Sequence, residues 1–260
     1  MIIKISDSED ERLNPFRSIR YRGPEAGFIA EGALVVTRLL QSDYSLQSLL
    51  VHAGQVDRYR GLVPDDVPVF LVDPELGKQI AGYDFHRGVL AHADCRPMAA
   101  ADCFAREPAK LGLGLVGISD PENVGSLLRS AAAMGIHDIF IGPGTISPYV
   151  RRVIRVSMAS VFHHRFYQLT DVANEIVPMQ QQGVSFAAST LATDAVSIDQ
   201  LALTMDDSVV LLVGNEATGL SMEVQQACRH RVTLPMASGT DSLNVGVAGA
   251  IFMHELSKQE

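Results

Sequence analysis

Cysteine is scarce in this chain. Cys95, Cys103 and Cys228 are the only three, and they form no CxxC pair. An odd, sparse set excludes a disulfide framework and points to reduced thiols in a cytoplasm. His92 stands near Cys95, but no second pair completes a zinc set, so no metal is expected. No apolar run reaches the roughly 18 to 20 residues of a membrane span. The opening MIIKISDSEDER lacks the basic start and long apolar stretch of a secretory signal. Repeats and low-complexity tracts are missing too. So is any excess of positive charge: 21 Lys and Arg stand against 30 Asp and Glu, a net charge of -9. That argues against indiscriminate binding to nucleic acid. Two windows run the other way. Residues 12–22 hold four arginines and no acid, and residues 151–165 hold four arginines with His163 and His164, again without an acid. Solvated faces and phosphate contacts both fit such windows. The acidic SDSEDE start is expected to fray.

What is present is core-forming sequence. The 260 residues are 47% hydrophobic, enough for one large or two medium domains. From 27 to 91, FIAEGALVVTRLLQS reads as a helix, SLQSLLVHA and PVFLVD as strands, PELGKQIAG as a helix capped by Asp73 with Pro74 first, and GVLAHAD as a strand. Residues 95–110, with two prolines and little periodicity, read as a linker with room for a helical piece. From Leu111 on, strand patterns (LGLGLVGIS, DIFIG, GVSFAAST, SVVLLVG, RVTLPM) alternate with helical ones (ENVGSLLRSAAAMG, SPYVRRVIRVSMAS, SMEVQQACR, LNVGVAGAIFMHELSK). Such alternation means an α/β fold with a parallel sheet covered on both faces. The domains are therefore placed at 1–94 and 111–260.

GLGLVG, residues 112–117, matches GxGxxG, but its glycines lie within a strand, so a dinucleotide fingerprint is rejected. Three other stretches carry chemistry. In DPENVGSLLR, Asp120-Pro121 opens a helix that presents Asn123 and, two turns on, Arg129. In VVLLVGNEATGLS, an apolar strand ends at Gly214, followed by Asn215, Glu216 and Gly219. Glycine at the carboxyl end of a parallel strand lets a ligand reach backbone. In LPMASGTDSLNVGVAGA, a strand gives way to a small polar loop, and Asp241 or Ser242 is placed to cap the closing helix. Gly246, Ala248, Gly249 and Ala250 leave that helix thin enough for another backbone or subunit to pack close. Each stretch also fits a plain structural loop.

Asn123-x-Gly125-x-x-x-Arg129, Gly214-Asn215-Glu216-x-x-Gly219-Leu220 and Leu234-Pro235-Met236…Ser242-Leu243-Asn244-Val245 together resemble the three motifs of SpoU (TrmH-type) RNA 2′-O-ribose methyltransferases, in order and in spacing. The likeness covers about 111–256. Residues 12–91, through FIAEG and AGYDFHRGVLA, are more weakly similar to the substrate-binding domain often found ahead of it, which has the α/β fold of a small ribosomal protein. The resemblance implies a SPOUT domain with a trefoil knot, S-adenosylmethionine as methyl donor, a homodimer and an RNA substrate, ribosomal RNA before transfer RNA. It implies catalytic roles for Asn123, Arg129, Glu216, Ser242 and Asn244. Cofactor contacts would come from Thr190, Leu191, Gly214, Asn215, Glu216, Gly219, Leu234, Met236, Ser242, Leu243 and Asn244. RNA contacts would come from Arg17, Arg20, Arg22, Arg151, Arg152 and Arg155. A non-catalytic RNA-binding protein on the same fold is the alternative. Gly246, Gly249 and the SMAS stretch (157–160) depart from the usual pattern.

Overall fold

Short strands alternating with helices recur along the chain, and they assemble into two units. One comprises Met1–Pro97 with Pro148–Phe162, the other Met98–Ser147 with His163–Glu260. The structure is a computed structural model, and it describes residues 1–17, 23–81, 88–201, 208–237 and 242–258.

The first unit runs β1 (Ile2–Lys4), α1 (Asn14–Arg17), β2 (Phe28–Glu31), α2 (Ala33–Leu40), β3 (Leu46–His52), β4 (Val69–Val72), α3 (Pro74–Ala81) and β5 (Val89–Ala93). Its mixed sheet has the order β1-β4-β3-β5-β2. The single helix expected over FIAEGALVVTRLLQS is a strand followed by a helix. All four residues of β2 are buried, which suits a strand in a covered sheet, and Gly32 at φ +88 breaks the chain direction before α2. Asp73 caps α3 as expected, accepting from the Leu76 amide at 2.8 Å.

The N-terminal segment is built in rather than frayed. β1 pairs with β4, and Leu13 and Phe16 are wholly buried. Asp10 accepts Nε and Nη2 of Arg12, and its carbonyl accepts Nη2 of Arg17 at 3.1 Å. Arg12, the first arginine of the acid-free window, thus finds its acid just upstream.

The second unit follows with β6 (Ala99–Ala100), β7 (Leu111–Leu115), α4 (Pro121–Ala133) and β8 (Asp138–Ile141). The chain then returns to the first unit for α5 (Arg151–Val156), before β9 (Arg165–Gln168), α6 (Val172–Gln181), β10 (Val184–Ser189), β11 (Val196–Ser197), β12 (Ser208–Val213), α7 (Met222–Ala227), β13 (His230–Thr233) and α8 (Val245–Ser257). Its eight strands are all parallel, in the order β11-β13-β10-β12-β7-β8-β9-β6. Side-chain alternation along β12 serves both faces. Val210 and Leu212 join the core with Ile176 and Met179 of α6 and Val224 of α7. Val213, on the other face, meets Gly249 of α8.

Two expectations change here. The stretch 95–110 is no spacer from Met98 on: β6 pairs with β9, and Ala101 and Phe104 are buried in the second core. The helix expected over 147–160 shrinks to α5, because Met158 and Ala159 take left-handed φ values of 52 and 66. That conformation ends helices and usually falls to glycine. Here burial overrides it, since Ala159 is fully enclosed and Arg38 donates to the Met158 carbonyl. The same segment joins the first core through aromatic rings: Phe28 stacks on Tyr149 and Phe162 at centroid distances of 5.3 and 5.6 Å.

One buried group makes the second unit acid-sensitive. His164 is 3% exposed; Nε2 donates to the Leu128 carbonyl at 2.9 Å and Nδ1 has no partner among the described residues. Burial, with His137 and His163 nearby, pushes its pKa down from 6.5 to about 4, against the opposing pull of its backbone bonds. A depressed histidine favours the folded state above its unfolded pKa, and that contribution is lost as pH falls from 6.5 towards about 4. Over that window the wild type should lose about 3 kcal/mol more stability than His164→Gln, which keeps a donor but does not titrate. Denaturant unfolding of both proteins across the window checks this; equal losses would refute it.

Candidate active site

Three strand ends of the second unit converge. β7 runs through Gly117 to Asp120, whose side chain accepts from the Glu122 amide at 2.9 Å and starts α4 at Pro121, as the sequence indicates. This start puts Asn123 in the first turn, 9% exposed. β12 ends at Gly214, and the loop after it closes on itself: the Gly219 amide donates to the Asn215 carbonyl at 2.8 Å, and Asn215 Oδ1 accepts from the amides of Ala217 and Thr218 at 2.9 and 3.1 Å. Asn215 Nδ2 donates to the Gly117 carbonyl at 2.9 Å, tying the β12 loop to the β7 loop. A Cβ at Gly214 would lie 2.5 Å from backbone atoms of Gly219 and Leu220. The glycine expected to admit a ligand is therefore demanded first by its own loop.

β13 leads through Leu234 and Met236 towards α8. Asp241 lies outside the described residues, and the cap expected from Asp241 or Ser242 is made by Asn244. Its Oδ1 accepts the Gly246 and Val247 amides at 2.9 and 3.4 Å. That bond fixes the rest of a chain. With its oxygen committed, Asn244 Nδ2 donates to Asn123 Oδ1 at 3.0 Å, and Asn123 Nδ2 then donates to Glu216 Oε1 at 2.6 Å. A helix cap thus dictates the orientation of two amides and aims a carboxylate. The three motifs meet in these three side chains.

The strand ends enclose a cavity of about 390 Å³. Thr190, Leu191, Gly214, Asn215, Glu216, Gly219, Leu234, Met236, Ser242 and Leu243 all line it; Asn244 does not. Its inner part is buried and apolar, with Leu220, Leu234 and Phe252, whereas Glu216, Thr218 and Ser242 are exposed at the rim. Sequence reasoning missed Val245, Ala248 and Phe252, whose helical spacing on α8 was the available signal, and Gln225, which gave none. Size and gradient suit a flat apolar body with a polar tail.

Arg129 is exposed on α4 and outside this lining, and its guanidinium bonds to no described residue. The arginine windows are less free. Arg151 pairs with the buried Glu31, and Arg17 contacts Glu9 at 3.6 Å. Arg165 forks onto the buried Asp138 at 2.7 and 2.6 Å. Arg152 is exposed and Arg155 half-buried on α5, while Arg20 and Arg22 lie outside the described residues. The thin face of α8 is filled within the unit, where a Cβ at Gly249 would lie 2.3 Å from Leu127 of α4. Its outer face leaves Val247 and Ile251, four residues apart, exposed, and Leu243 just ahead of the helix is exposed too. Burial pushes the Cys228 thiol up to about 12, so it stays protonated. Among the described residues no cluster of His, Cys, Asp or Glu is placed to hold a metal ion, and no helix is long and apolar enough to cross a membrane.

Residues 110–254 match the sequence profile of the SpoU rRNA Methylase family. An uncharacterized tRNA/rRNA methyltransferase of Mycobacterium tuberculosis is 31% identical over 98% of this chain and 91% of its own. A putative TrmH family tRNA/rRNA methyltransferase of Staphylococcus aureus is 30% identical over 67% of this chain and 71% of its own. Among solved structures, the AdoMet-bound rRNA methyltransferase from Sinorhizobium meliloti superposes with a TM-score of 0.86 at 22% identity, covering 99% of this chain and 98% of that one. An RNA 2′-O ribose methyltransferase superposes at 0.73 with 25% identity, over 100% and 99% of the two chains.

Proposed function

Since the chain belongs to the SpoU methylase family, we propose that it transfers a methyl group from S-adenosylmethionine to a ribose 2′-hydroxyl of a structured RNA, ribosomal RNA before transfer RNA. The observation that carries this reading is the Asn244–Asn123–Glu216 chain standing beside a cavity with an apolar floor and a polar rim. Such a cavity accepts a nucleoside inside and its amino-acid tail outside. The AdoMet-bound relative of the same fold supports that occupant.

Bound S-adenosylmethionine would supply an electrophilic sulfonium methyl group to a 2′-oxygen held in line, with the neutral thioether as leaving group. The chain's own work is positioning. Backbone groups near Gly214, Leu234 and Leu243 hold the nucleoside, with Met236, Thr190 and Leu191 as walls. Glu216, held by Asn123, orders the reacting end. Both ends of the Asn244 amide are occupied, so it positions and does not relay. The 2′-hydroxyl proton leaves through Ser242 or water. A guanidinium is a poor base, so Arg129 serves another role. It holds the neighbouring phosphate and stabilises the developing alkoxide. The first unit selects the RNA, with the arginines of α5 among its phosphate contacts. The return of the chain from β13, between β11 and β10, to α8 over β12 fits a threaded, knotted C-terminus. The exposed Leu243, Val247 and Ile251 stripe fits a homodimer. The enzyme works in the cytoplasm.

Alkaline hydrolysis of cellular RNA, with and without the gene, tests the reaction, because a 2′-O-methyl protects the adjacent phosphodiester. One or a few protected positions should become cleavable when the gene is deleted. An unchanged ladder, from a protein that still binds RNA, would favour the non-catalytic alternative. Loss of a base methylation instead would move the chemistry to the base.

A further inference from the structure

Gln225, on α7, lines the cavity yet belongs to none of the three motifs. It is 8% exposed. Its Nε2 donates to the Leu220 carbonyl at 2.8 Å. A carbonyl takes only a donor, so this bond locks the amide. The other end, Oε1, is an acceptor, buried with no partner among the described residues. Native proteins leave few such groups unmatched, and because Gln225 lines the cavity, a ligand seated against it is a source of the missing donor.

The surroundings narrow that donor. Leu220, Val224 and Cys228 around Gln225 belong to the apolar core. Of the charged and hydroxyl groups in the lining, Glu216, Thr218 and Ser242 sit on exposed loops, and Ser189 and Thr190, at the end of β10, are half-buried. A charged amine or a ribose hydroxyl belongs at that rim. An exocyclic amino group carried on a flat aromatic ring belongs at the buried end.

We propose that Gln225 Oε1 accepts a hydrogen bond from the 6-amino group of the bound adenine, which makes Gln225 the residue that tells adenine from a 6-oxo purine. The proposal rests on the nucleoside occupant proposed above. A 6-oxo ring sets oxygen against oxygen, and the amide cannot flip to serve it, because Leu220 holds Nε2. Discrimination of this kind, built on a buried polar group left unpaired by the wrong ligand, is strong for its size.

Calorimetric titration with S-adenosylhomocysteine and S-inosylhomocysteine tests it. The wild type should prefer the adenosyl compound by roughly 10- to 100-fold. Gln225→Met keeps the bulk and accepts nothing; it should bring the two ligands within about threefold, by weakening the adenosyl compound. Gln225→Glu keeps an acceptor and should keep the preference. Thermal melts show which variants fold, and either variant decides alone. A methionine variant that still discriminates, or a glutamate variant that does not, overturns the assignment. So does a wild type that binds both ligands equally. A wild type that binds neither overturns the nucleoside reading itself and this proposal with it.

Discussion

Arg129→Ala should cut methyl transfer by roughly 10²- to 10³-fold, the scale set by removing one donor aimed at a developing oxyanion. Affinity for S-adenosylhomocysteine should stay within about twofold of wild type, because a group that makes no ground-state contact costs nothing when removed. The structure supplies the basis for that split. Arg129 stands on α4 outside the cavity lining, and its guanidinium bonds to no described residue. It is thus available to a phosphate and idle towards the donor. Single-turnover assays with labelled donor, beside calorimetry, separate the two quantities. Arg129→Lys keeps the charge without the planar fork; partial rescue assigns the role to bidentate phosphate binding, near-complete rescue to charge alone. An alanine variant with ordinary turnover would remove Arg129 from the chemistry.

The second large effect is expected at Asn244. Asn244→Asp keeps a side-chain oxygen for the Gly246 and Val247 amides, and aspartate caps as well as asparagine, so stability should change by less than about 0.5 kcal/mol. Turnover should nevertheless fall roughly 10- to 100-fold. The new carboxylate cannot donate to Asn123 Oδ1. It competes with Glu216 for the single NH₂ group of Asn123, and whichever carboxylate loses then faces an oxygen. Asn244→Ala removes the cap too and should cost about 1 kcal/mol in addition. Comparing melting temperature with kcat across the pair distinguishes a structural asparagine from a positioning one. If the aspartate variant turns over normally, the amide chain holds the loops together and does nothing for the reaction.

Several features were legible because their signal is local. Asp73-Pro74 and Asp120-Pro121 announce helix starts through the geometry of one or two residues, and both helices begin there. The strands of the parallel sheet were legible as apolar runs, because a sheet covered on both faces leaves nothing to alternate. Strands without such runs were missed: β9 carries Arg165 and Gln168, and β6 is two exposed alanines held by pairing alone. FIAE reads as part of the helix that follows because four buried residues have no period to tell helix from strand. The motif residues were legible for a different reason, as a joint pattern of types and spacings.

What the sequence determined by itself is the family, the alternation of strands and helices, and the set of side chains placed at three strand ends. Those follow from covalent order and short-range preference. The tertiary structure alone decided how these side chains are used. It gave the cap of α8 to Asn244 and so oriented Asn123 and Glu216. It spent Arg12, Arg151 and Arg165 on acids near and far in sequence. It carried 148–162 into the first unit, and it left Gln225 with an oxygen unmatched among the described residues. Each of these is a competition among partners distant along the chain. The winner is set by which groups folding brings within hydrogen-bond reach, a quantity that no spacing encodes.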